Sequence, residues 1–403
     1  MTVFGRAIAE ARPRVVAALA ARLRDLDLAE DAFSDACAAA LVAWPNQPPR
    51  DPAAWLWRAA LRRAIDARRR AAVRARTMLD PPAPQASPEE ALMAHEPIPD
   101  ERLRLIFVCC HPALAADARA ALTLKVVCGL STQRLARAFF CAEPAMLQRI
   151  TRAKRKIAGA GVPFEVPGPA AWPERLEAVL TTLEVAYAQA YEDAGLATDA
   201  AGFAPEVLRL SGLLAELMPG EPEVLGLAAL VRFAEARRPA RLDATGAMVP
   251  PEAQEADLWR RDLIAEGAGL LDRAAGFARS GPRQILATIH ASHCARAEGR
   301  PTPWADIARL YDVLLAVRPS PPAAVNRAVA LGESAGAEAG LAALARVEGM
   351  QAWLPYQAAL AHLSARARRR REAIAALRAA LGLNPAPAER LYLQRRLREL
   401  EKA

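Results

Sequence analysis

The sequence predicts an all-α fold, because helical periodicity runs through almost the whole chain and strand signals are scarce. Ala, Leu, Arg and Glu recur at helical spacing, while alternating runs of β-branched or aromatic residues are rare. A chain of 403 residues is too long for one core, so two to four helical domains are expected. Two proline-rich breaks, at residues 77–100 and 161–173, predict where the domains are joined.

The composition restricts the partners and the compartment. A net charge of +8 fits a polyanionic partner, although the basic residues are nearly all Arg, so their clustering is more informative than their number. The six cysteines form no CxxC pair, which is typical of free thiols in a reducing compartment. The N-terminus lacks a signal-peptide pattern, and no apolar run reaches the ~18 residues of a membrane span. We therefore expect a cytoplasmic protein with no membrane partner.

The first predicted domain covers roughly residues 1–76. Asp27 and Glu30 resemble a capping box at the start of a helix. Four residues then fall on one face of that helix: Phe33, Cys37, Leu41 and Trp44. After the break NQPPRD, Asp51 and Pro52 predict a new helix, with an N-cap and a first-turn proline.

This new helix has the composition of a nucleic-acid surface. From Arg58 to Arg76 it carries eight Arg and one acidic residue, and Trp55 and Trp57 lie near its start. Aromatic rings stack on unpaired bases while Arg holds the backbone, so the pattern fits single-stranded DNA. Packing of Trp55 in the core, with Arg on a solvated face, is the alternative. The candidate DNA contacts on this helix are Arg62, Arg63, Arg69 and Arg70.

The segment 101–164 forms the next predicted domain, after the linker 77–100. It begins with helices in ERLRLIFVCC and DARAALTLKVVC, the second ending at Gly129 as a C′ glycine. LSTQRLARAFFCAEPAMLQRITRAKRKI, residues 130–157, then reads as a helix, a tight turn and a second, strongly cationic helix. A helix-turn-helix of this kind places its second helix in the DNA major groove.

That recognition helix is expected to begin near Pro144, with its first turns facing base edges. Gln suits adenine and Arg suits guanine, so the candidate readers of the bases are Ala145, Met146, Gln148 and Arg149. Further along, the candidate phosphate contacts are Arg152, Lys154, Arg155 and Lys156. The predicted buried face consists of Ile150, Ala153 and Ile157. A merely solvated cationic helix is the alternative.

Residues 174–403 change to helical hairpins punctuated by proline. Pro319 and Pro385 lie 66 residues apart, close to two repeats of about 34, the tetratricopeptide spacing. A stacked array of hairpins has a concave surface suited to another protein or to an internal segment. We therefore expect a helical-repeat domain with a protein partner of unknown identity.

Taken together, these segments resemble a bacterial RNA polymerase sigma factor of the extracytoplasmic-function type. LAEDAFSDACAAALVAW and DPAAWLWRAALRRAIDARRR are similar to region two, and residues 130–157 are similar to the end of region four. LRLIFVCCHPAL, LWRRDLIAEG, PPAAVNRAVAL and LNPAPAERLYLQRRL resemble the subgroup with a tetratricopeptide-like C-terminal extension.

The resemblance implies that region two binds the polymerase core and melts the downstream promoter element, while region four reads the upstream element. It also implies that Asp31 and Asp35 contact the polymerase core, with ordinary surface charge as the alternative. Promoter DNA and polymerase are then the partners. Because the C-terminal domain is covalently attached and the sequence predicts no membrane segment, we expect this domain to regulate the sigma domains in cis.

Other functions are less well supported by the sequence. His290, His293 and Cys294, in HASHC, form the one metal-like group, but no fourth ligand is evident. There is no Gly-rich phosphate loop or nucleophile elbow, so we expect no cofactor, no metal and no enzymatic activity. The alternatives are a helix-turn-helix regulator with a repeat sensor domain, a metal-dependent hydrolase using HASHC, and a scaffold built on the tail.

Overall fold

The computed structural model describes residues 3–45, 49–76, 101–139, 141–162, 164–168, 170–193 and 204–402. Within these ranges the protein is helical with no strand, which confirms the all-α prediction. The predicted linker 77–100 lies outside the described residues. The chain forms two compact units, residues 1–186 and 187–403, so the first unit extends beyond the predicted start of the tail at residue 174.

The first unit contains seven complete helices in its described part and most of an eighth. They are α1 (Val3–Leu23), α2 (Leu26–Ala43), α3 (Pro52–Arg76), α4 (Arg102–Cys109), α5 (Ala116–Val126), α6 (Thr132–Ala138), α7 (Glu143–Gly159) and α8 (Trp172–Asp193). The N-terminal part of α8 packs on α4, where the rings of Trp172 and Phe107 are 5.4 Å apart. Arg175 of α8 also donates a 2.7 Å hydrogen bond to the Phe107 carbonyl.

The second unit continues with ten α-helices and four short 3-10 helices in the part that the structure describes. The α-helices are α9 (Ala204–Leu217), α10 (Pro222–Ala236), α11 (Arg261–Ala275), α12 (Pro282–Cys294), α13 (Trp304–Val317), α14 (Pro321–Ala335), α15 (Ala337–Leu344), α16 (Leu354–Arg366), α17 (Arg370–Gly382) and α18 (Pro387–Lys402). Helices adjacent in sequence pack on each other, as in α13–α14 and α16–α17. Prolines open α10, α14 and α18 as the sequence predicts, because proline is favoured in the first helical turn.

The helix starts of the first domain follow capping chemistry. Asp51 accepts a 3.0 Å hydrogen bond from the Ala54 amide, and Pro52 opens α3, which confirms both predictions. The capping box predicted at Asp27 is wrong: Asp25 caps α2 by accepting a 3.0 Å hydrogen bond from the Leu28 amide. The helix therefore starts earlier than predicted, and both Asp27 and Glu30 are free to serve other contacts.

Helices α1, α2 and α3 share one core. Phe33 and Trp44 of α2 and Trp57 of α3 are buried, whereas Leu41, predicted on the same face as Phe33, is 63% exposed. The rings of Trp44 and Trp55 pack in a T-shaped arrangement with a centroid distance of 5.7 Å. These tryptophans therefore hold α2 against α3.

Gly129, predicted to end the helix α5, has a left-handed backbone with φ +76°. Its amide donates a 3.1 Å hydrogen bond to the Lys125 carbonyl, which closes the end of α5. A Cβ atom at this position would lie 2.4 Å from Cδ of Arg12, which comes from α1. Glycine is therefore required here for two reasons: the backbone is left-handed, and the Arg12 side chain occupies the space of a Cβ atom.

We expect Gly129→Ala to lower the free energy of unfolding of the first unit more than Gly161→Ala. Gly161 also has a positive φ of +60°, but no atom in the described part of the chain lies within 4 Å of its hypothetical Cβ. Gly161→Ala therefore carries only the cost of a left-handed alanine, about 1 kcal/mol. Gly129→Ala adds roughly a further 1–2 kcal/mol because it displaces a charged hydrogen-bonding group. Equal losses in chemical denaturation would show that Arg12 is not constrained here.

Candidate nucleic-acid interface

Helices α6 and α7 are separated by four residues, and one face of α7 is buried. Ser131 begins α6 by accepting a 3.2 Å hydrogen bond from the Arg134 amide. Helix α7 begins at Glu143, next to the predicted start at Pro144. Its buried residues repeat at helical spacing, and they are Met146, Ile150, Ala153 and Ile157. The burial predicted for the last three is confirmed.

The residues predicted to read the bases differ in their exposure to solvent. Ala145 and Gln148 are exposed, and the Arg149 guanidinium lies over the Phe139 ring, 5.9 Å from its centroid. Met146 is fully buried and cannot reach a base edge in this conformation, so it is removed from the predicted surface. Its position four residues before Ile150 was the signal in the sequence that would have assigned it to the core.

The predicted phosphate contacts also divide into two groups. Arg152, Arg155 and Lys156 are exposed on α7. Lys154 instead turns towards α2, where its Nζ lies 2.6 Å from Oδ1 of Asp27 and 2.8 Å from Oε2 of Glu30. Its side chain is only 14% exposed. A phosphate contact by Lys154 therefore requires that these two ion pairs first break.

The Lys154 ion pairs belong to a larger charged cluster. Nη2 of Arg12 lies 2.7 Å from Oε1 of Glu30, and its guanidinium lies over the Phe33 ring. Burial lowers the pKa of Lys154, but the carboxylates of Glu30 and Asp27 outweigh that effect and raise the pKa above its ordinary value. Lys154 is thus held in its charged form. We call Arg12, Asp27, Glu30 and Lys154 the ionic cluster of the first unit.

The arginines predicted as DNA contacts on α3 lie on its exposed face. Arg62, Arg63, Arg69 and Arg70 are all exposed. Nη1 of Arg63 is 3.8 Å from Oδ2 of Asp35, an ion pair between two exposed side chains that contributes little stability. Trp57 is buried, so its ring is not available to stack on a base, whereas Trp55 is half-buried and packs against Trp44.

The predicted polymerase contacts on α2 are exposed. Asp31 and Asp35 lie on one side of the helix, in line with the exposed Val42. Burial, followed by the repulsion of Asp27, raises the pKa of Asp31 above its ordinary value. The surface is therefore acidic with an apolar end, which suits a basic, partly apolar partner surface.

No cluster of three or more His, Cys, Asp or Glu side chains within the described ranges is arranged to hold a metal ion. His290 and His293 lie instead in the second unit, where burial lowers the pKa of both. None of the described helices has the length and apolar character needed to cross a membrane.

Comparison with known proteins places two matches on this chain. Residues 7–74, which hold α1, α2 and most of α3, match the model of sigma-70 region 2. Residues 175–275 match a family of unknown function, DUF6596. An uncharacterized protein of Rhizobium meliloti is 43% identical over 345 residues, which is 83% of this chain and 81% of the relative. No solved structure matches.

The neighbouring residues Met146 and Leu147 offer a matched test of which face of α7 is buried. We expect Met146→Ala to cost about 2–5 kcal/mol of unfolding free energy, because it leaves a cavity in the core. Leu147 is 56% exposed, so Leu147→Ala should change the stability by no more than about 0.5 kcal/mol. Chemical denaturation followed by circular dichroism measures both. A greater loss for Leu147→Ala would reverse the assigned orientation of α7.

Proposed function

The chain belongs to the same family as the Rhizobium meliloti protein and carries a sigma-70 region 2 domain, and from this premise we propose that it directs bacterial RNA polymerase to specific promoters. The observation that carries the proposal is the match over residues 7–74, which coincides with the helices that bear the two predicted surfaces. The exposed acidic stripe on α2 would bind the polymerase core. The exposed arginines of α3 would contact the promoter where it opens.

The second DNA contact in this proposal is made by α7. Its exposed side carries Gln148, Arg152, Arg155 and Lys156, while its other side is held in the core. This arrangement suits a helix whose side chains reach base edges at one end and phosphates along its length. It would read the upstream promoter element as the helix-turn-helix of region four, in the extracytoplasmic-function type of sigma factor.

The second unit would regulate the sigma domains in cis. Its covalent attachment supports this idea, and its consecutive packed hairpins provide an extended surface of the kind found in tetratricopeptide-like arrays. An unidentified protein partner of this surface would supply the signal.

Run-off transcription tests the proposed function. Purified full-length protein and core RNA polymerase are added to DNA from upstream of the protein's own gene and its neighbours. We expect a discrete transcript that depends on the protein. If the protein alone shifts the DNA but core polymerase neither binds it nor initiates, a polymerase-independent regulator replaces the proposal. Zinc analysis of the same preparation tests the hydrolase alternative, which needs stoichiometric metal.

The test of regulation in cis uses a truncation that spares α8. Removal of residues 174–403 would take away Val179, Leu180 and Leu183, which are buried residues that belong to the first unit. Removal of residues 194–403 keeps α8 complete. We expect the amount of transcript from the cognate promoter to change, and the direction gives the sign of regulation. An unchanged amount would contradict regulation in cis.

Arg152→Gln combined with Arg155→Gln tests the DNA contact of α7. Each lost phosphate contact should reduce the slope of log affinity against log salt by about 1, with a similar loss of affinity on unrelated sequences. Arg22→Gln is the control, because Arg22 is an exposed arginine on α1 outside the predicted surfaces. An effect of the control equal to half of the effect of the double variant would indicate a general charge effect rather than a contact.

A further inference from the structure

A cavity of about 390 Å³ lies within the second unit, between its helices. Its walls come from five helices, α12, α13, α14, α16 and α18, and from the loop 248–252. Most of the lining is apolar or aromatic, and a few polar groups converge on it. A concave site of this size with few, localised polar groups is typical of a binding site for a small molecule.

The most informative lining residue is Arg237, at the end of α10. It is 7% exposed, and its Nε has no hydrogen-bond partner among the described residues. No carboxylate of the described residues lies within ion-pair distance of its guanidinium, and the nearby Glu235 is already bound to Arg238 at 2.6 Å. Arg283, the other deeply buried arginine of this unit, has Glu223 as its partner. A buried cation without a counter-charge is unfavourable unless something else supplies the negative charge.

The hydrogen bond of Arg237 to His290 provides a second polar group. Nη2 of Arg237 is 3.1 Å from Nδ1 of His290. A guanidinium can only donate, so Nδ1 must accept, and the neutral ring carries its proton on Nε2. Burial, together with the charge of Arg237, keeps the pKa of His290 well below its ordinary value, which agrees with a neutral ring. His290 is therefore a hydrogen-bond donor in the cavity wall, beside the cation.

Tyr311 is the third polar group in the cavity lining, after Arg237 and His290. Aromatic rings form the adjoining wall. Burial raises the pKa of Tyr311 to about 12, so its hydroxyl keeps its proton and can donate. The ring of Trp304 packs edge-on against His293 at 5.3 Å. The lining thus combines donors beside Arg237 with flat apolar surfaces next to them.

The acidic groups that line the cavity have other contacts or lie on its exposed side. Glu389 accepts a 3.2 Å hydrogen bond from the Ala386 amide, at the start of α18. Glu252 is exposed, and its charge acts on Tyr392. The remaining titratable group, His362, lies 2.7 Å from Glu333. Within the described part of the unit, none of the carboxylates of Glu252, Glu333 and Glu389 forms an ion pair with Arg237.

The geometry points to a binding site for a small organic anion, whose acidic group lies against Arg237, His290 and Tyr311 and whose apolar body packs on Trp304 and Ile307. A carboxylate and a phosphate share the required chemistry, since both accept several hydrogen bonds and carry the missing negative charge. This inference concerns the second unit alone and does not depend on the role proposed for the first.

Saturation-transfer NMR on the full-length protein tests the site with three probes. They are 3-phenylpropionate, 2-phenylethyl phosphate and the neutral 3-phenylpropionamide. We expect at least one of the two anions to bind, and the amide to bind about tenfold or more weakly, because it lacks the charge that Arg237 complements. The better anion distinguishes a carboxylate from a phosphate site. Absence of binding by both anions, or equal affinity of the amide, would overturn the assignment.

Two variants and a control locate the binding. Arg237→Met should reduce the affinity for the anion to that of the amide. Arg309→Met, which removes an exposed arginine of α13 outside the cavity, should leave the affinity unchanged. Because a substitution at a buried arginine can disturb folding, Ala358→Phe provides a second test, since it fills the cavity while retaining Arg237. Unchanged binding in Ala358→Phe, or equal losses in both arginine variants, would overturn the proposal.

Discussion

The ion pairs of Lys154 with Glu30 and Asp27 are the contact on which the organisation of the first unit depends. They connect α7 to α2 across 127 residues of sequence. Arg12 connects α1 to the same carboxylate, that of Glu30. The Arg12 side chain also packs closely against Gly129, at the end of α5. Because Lys154 and Glu30 are largely shielded from water, the loss of either one would leave the other with only one of its two ion-pair partners, Arg12 for Glu30 and Asp27 for Lys154.

This contact gives α7 two roles that oppose each other. The helix directs Arg152, Arg155 and Lys156 outward, where they can meet phosphates, and it directs Lys154 inward, where it holds the unit together. The exposed stripe of Asp31 and Asp35 belongs to the same α2 that provides the carboxylates for Lys154. A proposed polymerase-binding helix and a proposed DNA-reading helix are therefore joined directly, and a partner that moves one of them acts on the other.

Local patterns in the sequence predicted the parts of the structure that local physics determines. The all-α class, the cap at Asp51, the glycine at the end of α5 and the buried stripe of α7 follow from periodicity and backbone chemistry. Met146 was assignable from the same stripe. The partners of Lys154 were not, because a surface cation and an ion-paired one look alike when their partners are distant in sequence.

The cavity of the second unit shows the same limit of prediction. HASHC stood out as a possible metal site because its residues are close in sequence. The structure gives His290 a different neighbour, Arg237, which lies on another helix. Helical spacing says which residues share a face, but only the packing of one helix on another decides which side chains meet across it.

A double-mutant cycle on Lys154 and Glu30 tests the central role of the ionic cluster most directly. The unfolding free energies of the wild type, Lys154→Met, Glu30→Gln and the double variant are compared by chemical denaturation. We expect a favourable coupling of about 1–3 kcal/mol, because the two shielded charges interact directly. A coupling near zero would mean that the contact does not hold α7 to α2 in solution, and it would contradict the account.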